Sequence, residues 1–143
     1  MAEPKVSTFF YGSYINRDVL RAVDLEPERL EVARLPGYDI SIRPLANLVA
    51  SDEHAVYGVL ASTTHSELER LYRHAREVLG GVYLPHPVLV YTLAGQVEPA
   101  LCYIAPALTP APADPAYVHR ILDPAREYEF PAWYLKRLES FLA

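Results

Sequence analysis

The sequence predicts an α+β fold with a small closed or partly closed sheet, and three observations lead to it. Apolar runs of strand length follow one another closely along the chain, as in sheets whose strands are joined by hairpins. One amphipathic helix lies in the middle of the chain, and further helical segments lie near its end. A length of 143 residues, 51% of them hydrophobic, suffices for a single domain with its own core, which we expect to span residues 1–143.

The strands are predicted from apolar or alternating runs that end at turn residues. Pro36-Gly37 predicts a turn between the second and third runs, and residues 45–49 could extend the third past Pro44. The fourth run, residues 55–61, has so few polar residues that we expect it in the middle of the sheet. The predicted strands are residues 6–11, 30–35, 38–43, 55–61, 83–92 and 96–104.

The clearest helix begins at Thr64, because Glu67 three residues later completes a capping box, and it ends at Gly80-Gly81. Its inward stripe is predicted to be Leu68, Leu71, Ala75 and Val78. Residues 105–116 are rich in alanine and proline, which predicts a loop. The other predicted helices are residues 18–23, 115–122 and 132–142.

Charge and composition exclude several classes of function. A net charge of −5 and a pI near 5.5 argue against a nucleic-acid-binding protein, which would need a basic face. No apolar run approaches the roughly 18 residues of a membrane span, so we expect a cytoplasmic protein without a membrane partner. Cys102, the single cysteine, lies in an apolar run and is expected to be a buried thiol. The five histidines show no zinc-binding spacing.

The turn after the first strand is the strongest candidate for a binding site. Tyr11-Gly12-Ser13-Tyr14 joins strand 6–11 to a helix, and such a turn can direct several backbone N–H groups into one concavity. Gly12 permits close approach of a ligand and tolerates a positive φ, while Ser13 could cap the next helix or donate its hydroxyl. A nest of this kind suits a carboxylate or a developing oxyanion.

Four segments, in the same order, resemble the gamma-glutamylcyclotransferase-like superfamily. Tyr11-Gly12-Ser13 resembles its Tyr-Gly-Ser loop, and Leu35-Pro36-Gly37-Tyr38 resembles its Gly-Tyr entry to a strand. Val56-Tyr57-Gly58-Val59-Leu60 resembles its Val-x-Gly-x-Leu strand, and Pro131-Ala132-Trp133-Tyr134 resembles the segment before its last helix. The resemblance covers nearly the whole chain and implies a small mixed, partly closed β-barrel-like sheet with flanking helices.

The resemblance also implies a reaction and a set of site residues. Members of the family release 5-oxoproline from a gamma-glutamyl amine or dipeptide, a small-molecule substrate, when the α-amine attacks the γ-carbonyl, and they need no cofactor. The chemistry requires a carboxylate nest, an oxyanion donor and one general base. By resemblance Tyr11, Gly12, Ser13 and Tyr14 form the nest, Tyr83 holds the family's downstream aromatic position, and Tyr134 contacts the substrate.

The general base is where the sequence departs from the family pattern. The family's glutamate position, at the end of the central helix, is Ala75 in this chain, and the nearest carboxylate is Glu77. Two residues turn an α-helix by about 200°, so Glu77 could serve only if the helix ends or bulges before it. His74 and Glu53 are the other proton carriers considered, and Arg43 could meet an anionic ligand at its strand end.

Two classes of function therefore follow from the sequence. The first is an active cyclotransferase with Glu77 or another residue as its base. The second is a catalytically silent pocket protein that binds a small carboxylate metabolite or a protein partner. A carboxylate within reach of the Gly12–Tyr14 turn would favour the enzyme, whereas Ala75 facing that turn without a carboxylate would favour the binding protein.

Overall fold

A computed structural model describes residues 3–142. The five strands over these residues are β1 (Lys5–Phe10), β2 (Leu30–Ile42), β3 (Ala46–Thr64), β4 (Leu84–Thr92) and β5 (Val97–Ile104). The four α-helices over the same residues are α1 (Arg17–Ala22), α2 (His65–His74), α3 (Pro115–Glu127) and α4 (Ala132–Glu139). Short 3₁₀ turns at Ser13–Ile15 and Ser140–Leu142 and a π-helical turn at Ala75–Leu79 complete the regular structure.

The five strands close into a ring in the order β1-β3-β2-β4-β5. β1 and β5 pair in parallel, while the other neighbours are antiparallel. β2 and β4 share only two residue pairs, Ala33 with Thr92 and Arg34 with Tyr91, so closure at this point is minimal. The prediction of an α+β fold with a mixed, partly closed, barrel-like sheet is confirmed.

β2 is one strand where the sequence predicted two. Pro36-Gly37 does not reverse the chain, because residues on both sides of it pair with β3. The register shifts between Pro36 and Tyr38, and Gly37 takes up the irregularity with a φ of 92°. Pro36-Gly37 is therefore a β-bulge, which bends a strand without ending it.

The chain reverses at Pro44 instead, so the suggested extension of the third predicted strand past this residue is wrong. Ala46 pairs with Ile42, and β3 runs from there as a single strand to Thr64. Residues 59–61 of β3 pair with β1 on one side and with β2 on the other, which places this part of the predicted run 55–61 inside the sheet. Gly58 is required at this place, since a Cβ atom would overlap the carbonyl oxygen of Phe10 on β1.

The helix that begins at Thr64 has the predicted capping box with Glu67. Its α-helical part ends at His74, and Ala75–Leu79 continues as a wider π-helical turn before Gly80, whose φ is 86°. The wider turn changes which side chains face inward. Val78 is 69% exposed, so its predicted inward position is wrong, and Leu79 is the partly buried residue that packs against the core instead.

α3 does not end at residue 122, as predicted, but continues through Pro124 to Glu127. A proline inside a helix leaves the carbonyl four residues earlier without its usual N–H donor. Here that carbonyl belongs to Arg120, and the side-chain amide of Asn16 donates to it at 3.0 Å. The same side chain caps α1 through Oδ1, which accepts from Asp18 and Val19, so Asn16 and not Ser13 is the helix cap.

The core fills the ring and the space between the ring and the helices. Cys102 on β5 is fully buried, as predicted, and burial raises the pKa of its thiol to about 12. Residues 105–114 contain no helix or strand, in agreement with the loop predicted there, and α3 begins at Pro115. None of the helices within residues 3–142 is long and apolar enough to cross a membrane.

Candidate functional site

The turn after β1 is built by a single 3₁₀ turn. The amide of Ile15 donates to the carbonyl of Gly12 at 3.1 Å, and the amide of Asn16 donates to the carbonyl of Ser13 at 3.1 Å. Amides that precede the first hydrogen bond of a helical turn have no acceptor inside that turn. The N–H groups of Ser13 and Tyr14 are therefore the donors that this turn can offer to a ligand.

Gly12 is needed for its size and not for its dihedral angles. Its φ is −102°, outside the left-handed region that the sequence suggested for it. A Cβ atom on Gly12 would lie 2.8 Å from the Cβ of Ala46, at the start of β3. The two small residues therefore allow the turn to pack directly against β3, which fixes the turn relative to the ring.

A small cavity lies against this turn. Its volume is about 30 Å³, which is room for roughly two water molecules. All four predicted residues of the turn, Tyr11, Gly12, Ser13 and Tyr14, line it, and so do Tyr83 and Ala75. Among the described residues that line the cavity there is no carboxylate, imidazole, lysine, arginine or cysteine. Aromatic hydroxyl groups, Ser13 and backbone groups supply its polar atoms.

The tyrosine hydroxyls around the cavity are held by the backbone. Tyr11 donates to the carbonyl of Tyr103 at 2.6 Å, and Tyr83 donates to the carbonyl of Ala46 at 2.5 Å. The hydroxyl of Tyr117 accepts from the amide of Ala46 at 3.1 Å. Burial raises the pKa of each of these phenols, so they are neutral at physiological pH. The cavity wall formed by these residues is consequently uncharged and rich in oxygen lone pairs.

Other predicted site residues lie away from the cavity. Glu77 is exposed on the π-helical turn and does not line the cavity, although the helix bulges before it. Ala75 is fully buried and forms part of the wall at the position where the family has its glutamate. Arg43 is exposed at the end of β2. Tyr134 is buried in a different aromatic cluster, with Tyr57.

Sequence reasoning missed six residues of the wall: Phe10, Ala46, Tyr72, Leu79, Tyr103 and Tyr117. Tyr72 and Tyr103 stack with ring centroids 3.7 Å apart and planes 11° apart. The same two rings also line an outer groove that contains Arg73 and Arg76, so they separate the cavity from this groove. Tyr72 comes from α2, Tyr103 from β5 and Tyr117 from α3, so no local pattern in the sequence groups these three side chains.

Tyr14 connects the cavity to a titratable side chain. Its hydroxyl lies 3.0 Å from the carbonyl oxygen of Leu71 and 3.1 Å from Nδ1 of His74, so it can donate to either of these two atoms. Burial raises the pKa of Tyr14. The imidazole of His74 is partly buried, and its other side lines a surface groove together with Asp18 and Arg120. Tyr14 therefore lies between the cavity and a histidine that reaches solvent.

No group of three or more histidine, cysteine, aspartate or glutamate side chains within residues 3–142 is arranged to hold a metal ion. The chemistry available at the cavity, as far as the described residues supply it, consists of amide donors, phenol hydroxyls and the imidazole behind Tyr14.

No protein-family model and no curated protein matches the sequence. Solved structures do match this chain. A gamma-glutamyl cyclotransferase superimposes with a TM-score of 0.81 at 24% identity, over 95% of this chain and 87% of that one. A human protein described as uncharacterized superimposes with a TM-score of 0.81 at 24% identity, over 96% of this chain and 88% of that one. A yeast gamma-glutamyl cyclotransferase specific to glutathione superimposes with a TM-score of 0.66 at 13% identity, over 98% of this chain and 96% of that one.

These likenesses cover almost the whole chain. At such identities they establish the architecture, while the reaction has to be argued from the site. The expected resemblance is confirmed at the level of the fold: this chain has the gamma-glutamyl cyclotransferase fold.

Proposed function

We propose that this protein releases 5-oxoproline from a small gamma-glutamyl amine or dipeptide, by attack of the substrate's α-amine on its γ-carbonyl. The observation that carries the proposal is the common cavity of the 11–14 turn, Tyr83 and Tyr117, in a fold that gamma-glutamyl cyclotransferases share. The amides of Ser13 and Tyr14 are donors suited to the substrate's carboxylate. Because nucleophile and carbonyl belong to one molecule, holding the substrate in a folded conformation supplies much of the acceleration.

The cavity must open to admit a glutamyl group, since a volume of about 30 Å³ holds only water. The stacked rings of Tyr72 and Tyr103 are the part of the wall that can move, because they have the outer groove on their other side. Displacing them joins the cavity to that groove. The glutamyl group then occupies the cavity, and the leaving amine extends past Arg73 and Arg76.

A second candidate function is a catalytically silent binding protein for a small carboxylate metabolite. The observation that favours it is Ala75, which faces the cavity where the fold's catalytic glutamate would lie, with Glu77 exposed outside. A methyl group cannot carry a proton. The two candidates therefore share the cavity and the carboxylate nest, and they differ in whether a proton carrier acts there.

The test is release of 5-oxoproline from a panel of gamma-glutamyl amines and dipeptides, by the wild type and by Glu77→Gln. We expect release by both proteins, because Glu77 lies outside the cavity. Loss of release in Glu77→Gln alone would place the proton carrier at residue 77 after a rearrangement of the π-helical turn.

Absence of release by the wild type with every substrate would reject the cyclotransferase. Calorimetric titration with L-glutamate and with a non-cleavable gamma-glutamyl analogue then decides the second candidate. Binding that Gly12→Val abolishes would support a silent pocket protein, since the added side chain collides with Ala46 beside the turn. The matched control is Val78→Thr, an exposed position on the same side of the molecule as His74 but outside the cavity.

A further inference from the structure

We propose that Tyr14 and His74 form the proton relay that replaces the missing glutamate, with Tyr14 touching the substrate and His74 acting through it. The inference rests on the proposed cyclotransferase function and names its proton carrier. Two observations support it. Tyr14 is the cavity residue whose hydroxyl contacts an imidazole, at 3.1 Å, and that imidazole reaches a solvent-lined groove.

The local structure fixes both members of the pair. Tyr14 lies in the 3₁₀ turn after β1, and its ring packs edge-on against Tyr72 and Phe10. His74 is the last residue of α2, directly before the π-helical turn. Ala75, the next residue, is buried against the cavity, so His74 projects beside the cavity and not into it. A histidine in this position needs an intermediary to reach a substrate, and Tyr14 provides it.

The hydroxyl of Tyr14 has two acceptors, which gives the relay two states. When His74 is neutral with its proton on Nε2, Tyr14 donates to Nδ1, at 3.1 Å. When Nδ1 carries a proton, it donates to the oxygen of Tyr14, and the hydroxyl proton turns to the carbonyl of Leu71, at 3.0 Å. Neither state leaves the buried hydroxyl without a partner, so the proton can shift in either direction without an orphaned polar group.

The relay balances the protons of the reaction without a co-reactant. The oxygen of Tyr14 takes one proton from the substrate's α-ammonium group while Tyr14 passes its own proton to His74. The freed amine forms a C–N bond to the γ-carbonyl carbon. The bond to the leaving nitrogen then breaks as the proton returns to that nitrogen by the same path. The second proton moves from the new ring nitrogen in the same way, and the amine departs as an ammonium ion.

Tyr14 never becomes a lasting phenolate in this scheme. Burial raises its pKa, which disfavours the phenolate and favours concerted transfer through a hydroxyl that gains and loses a proton together. The charge resides on the imidazole instead, at the groove shared with Asp18 and Arg120. Arg73, the preceding residue on the same helix, is exposed to solvent.

The experiment compares kcat and KM for 5-oxoproline release by the wild type, Tyr14→Phe and His74→Gln. We expect kcat to fall by about 10²–10⁴-fold in both variants with little change in KM, because general acid–base catalysis is lost while the nest remains. His119→Gln is the matched control, since His119 is an exposed histidine on α3 outside the cavity. Its kcat should equal that of the wild type.

Two further measurements separate catalysis from structure. Added imidazole should restore part of kcat in His74→Ala, by entering the groove that the missing ring opens, and should not restore Tyr14→Phe. In nitrogen NMR spectra of the wild type, Nε2 of His74 should carry the proton and Nδ1 should act as an acceptor, and the Nδ1 signal should shift in Tyr14→Phe.

The relay is overturned by a His74→Gln kcat within twofold of the wild type, by a neutral His74 protonated at Nδ1, or by no rescue with imidazole. Each of these outcomes leaves the cyclotransferase standing if the wild type releases 5-oxoproline. No release by the wild type overturns the proposed function and the relay together, so failure of the two proposals can be distinguished.

Discussion

Two groups of aromatic residues can be compared within residues 3–142, and the first of them surrounds a cavity. The first group lines the cavity beside the turn after β1 and includes Tyr11, Tyr14 and Tyr83. The second, which we call the C-terminal cluster, consists of Tyr57, Phe130, Trp133 and Tyr134. By resemblance Tyr134 was expected to contact the substrate, and the structure places it in the C-terminal cluster beside Tyr57.

The two groups differ in the hydrogen bonds that their tyrosine hydroxyls make. Tyr11 and Tyr83 each donate to a backbone carbonyl, and Tyr14 has a backbone carbonyl as one of its two acceptors, so each of these hydroxyls has a partner. The hydroxyl of Tyr134 is buried and has no hydrogen-bond partner within residues 3–142. The backbone of Tyr57 lies nearby but forms no hydrogen bond with this hydroxyl. Its ring instead contacts Tyr57, Phe130 and Trp133. Rings contact one another in both groups, and the difference is that the hydroxyls of Tyr11 and Tyr83 have acceptors beside the cavity, whereas the hydroxyl of Tyr134 has none.

The largest expected difference between the groups is in the free energy of unfolding. Tyr134→Ala should destabilise the protein by about 3–5 kcal/mol, because it empties a packed site. Tyr103→Ala should cost only about 1 kcal/mol, since this ring is partly exposed and already borders open space. Urea unfolding of both variants checks the prediction. Equal losses would mean that the wall of the cavity is packed as tightly as the C-terminal cluster.

An alkaline titration should affect both groups. Burial raises the pKa of Tyr11, Tyr117 and Tyr134, so each keeps its proton in the folded protein at pH values where the unfolded chain loses it. The stability from these raised values is fully present below about pH 10 and is lost as the pH rises above it, by up to about 1.4 kcal/mol per pH unit for each tyrosine. Unfolding free energies between pH 9 and 11 measure the slope.

Removing Tyr134 from this set sharpens the comparison. Above pH 10, Tyr134→Phe should make the free energy of unfolding fall less steeply with pH. The difference is the contribution of one tyrosine, roughly 1.4 kcal/mol per pH unit. An unchanged slope would show that the hydroxyl of Tyr134 titrates in the folded protein as it does in the unfolded chain, contrary to its burial.

The smallest expected effects have opposite signs. Tyr11→Phe should destabilise the protein by about 1–2 kcal/mol, because the carbonyl of Tyr103 loses its donor. Tyr134→Phe at neutral pH should stabilise it by about 1 kcal/mol, because a buried hydroxyl without a partner is removed. Thermal unfolding of the two variants beside the wild type provides the measurement. Destabilisation by Tyr134→Phe would reveal a polar partner for that hydroxyl.

Local signals in the sequence predicted much of the fold. The capping box at Thr64 and Glu67 is decided by residues three positions apart, and the apolar run around Gly58 and the small-residue turn at Gly12 are visible as local patterns in the sequence. The bulge at Pro36-Gly37 was misinterpreted as a turn, because a local signal cannot show that both flanks pair with the same distant strand. Likewise, the length of α3 depends on Asn16, which is about a hundred residues from the helix it completes.

The sequence by itself determined the strand and helix types, the glycine turn that lines the cavity and the absence of a glutamate at residue 75. Only the tertiary structure decided which tyrosines meet at the cavity, since Tyr72, Tyr103 and Tyr117 come from three separate elements. It also decided that His74 lies behind Tyr14, because the π-helical turn and the closure of the ring set that distance. Periodicity and capping act over one or two helical turns, whereas a site assembled by ring closure depends on contacts between residues far apart in the chain.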